Sequence, residues 1–254
     1  EERFRKFPNV TLDTRQPYVL PPQGEARLMS RPVIIGTGPA GLFAGLMLAE
    51  AGYQPILLER GLPAVARKEI VDAFWAGAPL NPDCNVSFGE GGAGTFSDGK
   101  LNTLVKDNAG RNRKVLELFC RFGADSSILY EQKPHVGTDR LISIVTAMRE
   151  EILRLGGEVR FSSRAADFCV EADRLKAVLV ERTDGTRYEL KTEVLIAATG
   201  HSARDTFRVL SSRGFSMEAK AFAVGFRVQH RQRDISLSQY GEREADFLPP
   251  APYK

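Results

Sequence analysis

The chain has 254 residues, 43% of them hydrophobic and 26% charged, and a formal net charge of +3. That length buries a full core, and the balance is that of a globular protein rather than a disordered or fibrous one. The small charge, with no Lys/Arg cluster interleaved with aromatics, argues against a nucleic-acid surface, and three widely spaced cysteines (Cys84, Cys120, Cys169) argue against a disulfide framework or structural zinc.

Residues 1–31 carry Pro8, Pro17, Pro21 and Pro22, which break any long helix, and read as a linker or the remnant of a preceding module. Pro32 to Arg60 then organises the chain. It predicts a strand (Val33, Ile34, Ile35), a glycine turn, a helix, a second strand and an acidic end at Glu59. Gly36, Gly38 and Gly41 form a G-x-G-x-x-G at the strand-to-helix turn. The first glycine allows the turn, the second lets backbone approach a pyrophosphate, and the third lets helix and strand pack closely. The helix aims its N-terminal N–H groups and positive dipole end at the phosphates. Glu59 can accept both hydroxyls of an adenosine ribose. A membrane span fails here, because the uncharged stretch between Arg31 and Glu50 carries two prolines and four glycines.

Ala64 to Ala76 predicts a helix with Val65, Val71, Phe74 and Trp75 as its apolar positions, Trp75 reading as core. Gly77 to Asn102 is a long glycine-rich segment of the kind that carries function. Its glycines suit close backbone approach and anion-binding nests, and Thr95, Ser97 and Lys100 can serve phosphate. Phe88, Phe96 and Leu101 mark it as packed rather than solvated. Cys84 reads as a packed free thiol. Arg111 to Phe122 predicts a helix and residues 131–137 a connector. Thr138 or Asp139 should cap a helix with Leu141, Val145, Met148, Ile152 and Leu155 on one face, ending at Gly156-Gly157. Glu158 to Phe161 should add a third parallel strand. From Ala165 to Leu190 the pattern is a meander whose hairpin turns at Asp184-Gly185. Val194 to Ala197 is a buried strand ending in Ala198-Thr199-Gly200-His201. A helix from Ala203 to about Ser212 and a strand from Ala221 to Val228 follow, then a polar and Pro-rich stretch with no evident element.

Four features together resemble the two-dinucleotide-binding-domain flavoproteins: the GxGxxG-to-Glu59 unit, the glycine segment, the GGEVRF strand with its meander, and TEVLIAATG. More narrowly, VSFGEGGAGTFSDGKLNT and KPHVGTDRL look like the bacterial FAD-dependent dehydrogenase, or NAD(P)/FAD-dependent oxidoreductase, family. The resemblance spans roughly Arg31 to Gly225. It implies an α/β fold, a Rossmann-like FAD-binding domain with a parallel sheet and an inserted antiparallel β-meander. It divides the chain into residues 1–31, an FAD-binding domain over 32–214, and the start of a truncated substrate domain over 215–254. It implies FAD as cofactor, with electrons from NAD(P)H or from the substrate. Gly36, Gly38, Pro39, Ala40 and Gly41 would hold the pyrophosphate, and Glu59 the adenosine ribose with Arg60 flanking the adenine. Arg67 matches an arginine that often reaches the cofactor. Gly91, Gly92, Thr95, Ser97, Gly99 and Lys100 would line the pyrophosphate and flavin edge. Ala165 would read the adenine edge, and Ala198, Thr199 and Gly200 would close over the cofactor.

Such flavoproteins return late with a Gly-Asp at a strand end, and no Gly-Asp dipeptide occurs in the chain. The expectation is a fragment lacking both that C-terminal segment and part of the preceding N-terminal module. The expected activity is an FAD-dependent oxidoreductase or dehydrogenase on a small-molecule substrate, cytoplasmic, with no nucleic-acid or membrane partner and an open oligomeric state. The alternatives are a non-catalytic FAD- or nucleotide-binding module and, more weakly, a flavin-dependent RNA-modifying enzyme. Glu59 disfavours NADP at this site, where a 2′-phosphate would meet a carboxylate. His135, His201 and His230 are too spread to argue for a metal. His201 is the one that follows the cofactor-closing turn. No catalytic acid or base is assigned.

Overall fold

The computed structural model describes residues 16–96, 101, 106–107, 109–131, 136–222, 224–226 and 228–251. The chain divides into two compact units, Glu1–Phe215 and Ser216–Lys254.

The first unit is built on a four-stranded parallel sheet of β1 (Val33–Ile35), β2 (Ile56–Leu58), β3 (Glu158–Arg160) and β7 (Leu195–Ala197), in the order β3-β2-β1-β7. Its central strands are unbroken apolar runs, as expected where both faces of a parallel sheet are covered. Register pairs Val33 with Ile56 on one side and with Leu195 on the other. Alternation along the strands then sends residues to opposite faces. Ile34 and Leu57 join a core with α1 (Pro39–Glu50), α3 (Arg111–Arg121) and α4 (Thr138–Arg154). Val33, Ile35, Ile56 and Leu58 join a second core with the meander of β4 (Ser163–Glu171), β5 (Arg174–Arg182) and β6 (Arg187–Lys191). Each fully buried Leu or Ile on these faces contributes roughly 1.5–3 kcal/mol. The meander turns where Asp184-Gly185 predicts it, with Asp184 Oδ1 accepting from Thr186 N at 2.9 Å. Arg31 pins the entry to the sheet, donating to the Gln54 carbonyl at 2.7 Å and the Gly156 carbonyl at 3.1 Å.

Several local expectations are corrected. Trp75 is 71% exposed and Val65 is exposed too, because α2 (Ala64–Trp75) turns Ala64, Arg67 and Val71 inward and an arginine holds the apolar position. Helix α4 is preceded by Gly137, not capped by Thr138 or Asp139; Asp139 instead sits in its first turn, at the positive dipole end. The expected strand from Ala221 to Val228 is absent among the described residues, where Phe222, Val224 and Phe226 are exposed. An extended segment needs a neighbouring strand for its backbone groups, and the described residues of the second unit provide none. That unit holds instead α6 (Gln232–Tyr240), whose inner contacts are polar: Gln232 Nε2 donates to the Ala251 carbonyl at 3.0 Å, and Ala251 N donates to Ser236 Oγ at 3.3 Å. No apolar stripe announces such a helix.

Candidate dinucleotide site

At the end of β1 the backbone turns through Gly36, at φ +97°, whose N–H donates to the Leu58 carbonyl at 2.7 Å. A Cβ here would run into the Ala198 carbonyl, and a Cβ at Gly41 would overlap the Gly36 carbonyl. Both glycines are therefore required by the protein itself. Gly38 is different. It precedes α1 with φ −66° and ψ −178°, and a Cβ there would meet only the Gly92 Cα, at 3.8 Å. Among the described residues nothing demands glycine at this position.

Gly38 lines a cavity of about 490 Å³ together with Gly36, Pro39 and Ala40, and no side chain caps the first turn of α1 beside it. The size lies within the range of small-molecule and cofactor sites. Ala165 on β4, the Ala198-Thr199-Gly200 turn after β7, and His201 form further walls. Gly41 serves packing and stays off the cavity wall.

Glu59 closes β2 and is buried against the same cavity. Its Oε2 accepts from Thr37 N at 2.9 Å and Thr37 Oγ1 at 2.8 Å, and its Oε1 accepts from Gly61 N at 2.9 Å. A carboxylate has about four lone-pair sites, so one acceptor direction, on Oε1, remains. The expectation that Glu59 takes both ribose hydroxyls meets this limit: its other directions already hold the glycine turn.

Arg60 lies over the Phe88 ring, 4.4 Å from its centroid, and donates to both oxygens of Asp205 at 2.9 and 2.8 Å. Arg164 on β4 reaches Asp205 Oδ2 at 2.9 Å and Glu181 Oε1 at 2.8 Å. Asp205 thus joins the first turn of α5 (Arg204–Ser212) to β2 and β4. Partial burial opposes its charge, but the hydrogen bonds from Arg60 and Arg164 outweigh this and hold the carboxyl at about 2. The sequence gives no hint of this triad, since Arg164 and Asp205 lie outside any motif.

The glycine segment folds back as a loop and ends in a short 3-10 turn, Ala93–Phe96. Gly91 N donates to the Thr37 carbonyl at 2.9 Å, which stitches the loop to the phosphate-type turn. Gly92 reaches the cavity, whereas Gly91 and Thr95 face a separate apolar cavity of about 90 Å³ bounded by Leu42, Phe43 and Met148. Ser97, Gly99 and Lys100 lie outside the described residues, as does His135. The resemblance implies that Arg67 reaches the cofactor. It is off the cavity wall, and its guanidinium is taken by backbone carbonyls of the loop. Glu90, missed in the sequence, is fully buried; it accepts from Ala64 N at 2.7 Å and from Arg149 Nε at 2.7 Å. Burial pushes its carboxyl up, against the hydrogen bond from Ala64 and the charge of Arg149. Cys84 is buried, as read, and burial raises its thiol.

The arrangement can bind an extended nucleotide: a helix N-terminus, a glycine open to close approach, an acceptor at a strand end and two arginines on the wall. Its charged groups are committed to structure, which leaves His201 as the titratable cavity residue without an ion pair among the described residues; it contacts Ser202 Oγ at 3.4 Å. Among the described residues no cluster of His, Cys, Asp and Glu could hold a metal, and no helix is long and apolar enough to cross a membrane.

No protein-family model matches the chain. It is 47% identical over 218 residues to an uncharacterized protein of Clostridium beijerinckii, covering 86% of the chain and 40% of that protein. It is 35% identical over 110 residues to the tetracenomycin B2 monooxygenase-dioxygenase of Streptomyces olivaceus, covering 42% of the chain and 19% of that protein. The chain thus spans less than half the length of these relatives. Among solved structures, THI4 of Thermovibrio ammonificans superposes with a TM-score of 0.50 at 18% identity, covering 74% of the chain and 64% of that structure. The likeness is one of fold: a Rossmann-like parallel sheet with helices, to which an antiparallel meander is added.

Proposed function

We propose that the chain is the adenosine-binding part of an FAD-dependent oxidoreductase acting on a small molecule, of the bacterial FAD-dependent dehydrogenase type. The observation that carries the reading is Gly38: it is a glycine that the packing of the described residues does not require, on the cavity wall and at the N-terminus of α1. A pyrophosphate passing over that backbone explains the missing side chain. The residues fit the cofactor. Gly38, Pro39 and Ala40 would hold the phosphates, the free direction of Glu59 Oε1 would take one ribose hydroxyl, and Arg60, Phe88 and Ala165 would flank the adenine. Gly92 and the Ala198-Thr199-Gly200 turn would close the two sides. When bound, the flavin would supply the redox chemistry, and the chain would bind, orient and exclude water. Electrons from NAD(P)H and a cytoplasmic location belong to the same reading, the latter supported by three free cysteines.

A second reading, a nucleotide-binding module without redox activity, is favoured by the commitment of Glu59, Arg60 and Arg164 to structural bonds. One experiment separates them. The full-length protein is purified, its visible spectrum recorded, the nucleotide released on denaturation identified, and anaerobic reduction by NADH and NADPH followed. Bound FAD that accepts electrons supports the oxidoreductase. Bound FAD that no donor reduces supports the module. A colourless protein that takes up no added FAD removes both.

A further inference from the structure

We infer that Arg67 is the positioning residue of the dinucleotide cavity: it shapes the 85–92 loop from behind and governs ligand affinity without touching the ligand. The inference rests on the FAD reading above for its ligand, and on the fold alone for its geometry.

Arg67 is 0% exposed. Its Nε donates to the Asn85 carbonyl at 3.0 Å and one terminal nitrogen to Val86 at 3.0 Å. The other terminal nitrogen reaches the carbonyls of Glu90 at 2.7 Å, Gly92 at 2.8 Å and Gly89 at 3.3 Å. A guanidinium presents five N–H donors in a fixed plane, and five loop carbonyls turn toward it, three of them sharing the two N–H of one terminal nitrogen. The Phe96 ring lies 4.6 Å from the cation, so the 3-10 turn closes on it as well. Among the described residues no carboxylate bonds to it. Burial lowers it to about 10, opposed by the charges of Glu59 and Glu90, and it stays cationic at neutral pH.

Among the described residues the loop pairs with no strand; the Gly89 and Gly92 carbonyls also accept from Gly92 N and Thr95 N, and the cation gathers these with the Asn85, Val86 and Glu90 carbonyls. The satisfied loop is then placed against the phosphate-type turn. Gly91 N reaches the Thr37 carbonyl, and Gly92 packs so closely that a Cβ on it would lie 3.0 Å from Pro39 Cδ and 3.1 Å from Gly38 Cα. The wall opposite Gly38 therefore inherits its position from Arg67 through the Gly92 carbonyl. Lysine keeps the charge but offers three donors from one point, which cannot span five carbonyls.

The test uses the full-length protein and two readouts: FAD affinity, and hydrogen exchange of the amides in residues 85–92. Arg67→Ala should weaken FAD by on the order of tenfold or more and speed exchange in the loop, with exchange in α4 unchanged. Methylguanidinium at millimolar concentration should restore both, methylammonium neither, and Arg67→Lys should stay impaired. Unchanged affinity and loop exchange in Arg67→Ala would overturn the inference, as would equal rescue by the two cations. Should Arg67→Ala not fold, Gly89→Ala serves instead, because its Cβ would displace the Arg67 Cδ. It should weaken FAD with α4 protection retained, and wild-type affinity there would overturn the inference. A wild-type protein that binds no FAD defeats the functional reading, while the exchange readout still decides the role of Arg67.

Discussion

Gly38→Ala separates a glycine kept for a ligand from one kept for the fold. The substitution adds one methyl at the residue preceding α1. Its backbone, φ −66° and ψ −178°, is open to alanine, and the nearest atom to the new Cβ is the Gly92 Cα at 3.8 Å, an ordinary contact. Alanine is a poorer N-cap than glycine by about 1 kcal/mol. Against this, the restricted unfolded chain returns about 0.4–1 kcal/mol. The cofactor-free protein should therefore keep its stability to within about 0.5 kcal/mol. The methyl would stand where the pyrophosphate approaches, so the FAD dissociation constant should rise about 10- to 100-fold, or about 1.4–2.8 kcal/mol. Gly41→Ala is the contrasting control. Its Cβ would overlap the Gly36 carbonyl, and overpacking of that kind costs about 1–3 kcal/mol of stability. The assays are urea denaturation without cofactor and equilibrium FAD titration. Gly38→Ala with wild-type affinity, or one that loses stability as Gly41→Ala does, would refute the reasoning.

Glu59→Gln places an amide with two donors against Thr37 N, Thr37 Oγ1 and Gly61 N. It should cost about 1–3 kcal/mol in the urea midpoint and weaken adenosine-containing ligands as well. Glu90→Ala leaves Ala64 N and Arg149 without their acceptor and should cost about 3 kcal/mol by the same measurement. Asp205 gives a pH signature. Its carboxyl is lowered from 3.8 to about 2 on folding, so its contribution is present above pH ~4 and is lost as pH falls toward 2. After allowance for solvent screening at a side chain 34% exposed, that contribution is roughly 1 kcal/mol. Stability profiles of wild type and Asp205→Asn should converge across that window; parallel profiles would count against the Arg60–Asp205–Arg164 triad.

The parallel sheet was legible because buried strands are short apolar runs set off by glycine, as Val33–Ile35 and Ile56–Leu58 are. Helix α4 was legible because Leu141, Val145, Met148 and Ile152 repeat at helical spacing. Glu59 and the glycine turn were legible because one short segment contains them. The burial of Arg67 and its partners were not legible, because those partners are carbonyls of a loop about twenty residues on, which carry no side-chain signal. Trp75 was misread because apolar spacing cannot tell that a buried arginine already holds that face of α2. Glu90 and Asp205 act across elements, so nothing local marks them. The apolar alternation at Phe222, Val224 and Phe226 resembles a strand, but a strand is made by its neighbour and not by its own residues.

The central claim is that the Gly38–Glu59 unit reads the adenosine diphosphate half of FAD. Titration of the cofactor-free, full-length protein with FAD, ADP and FMN tests it most directly. The account predicts that ADP competes with FAD for one site and that FMN, which lacks the adenosine, binds at least about tenfold more weakly than FAD. FMN binding as tight as FAD, or FAD binding that ADP does not displace, would contradict it.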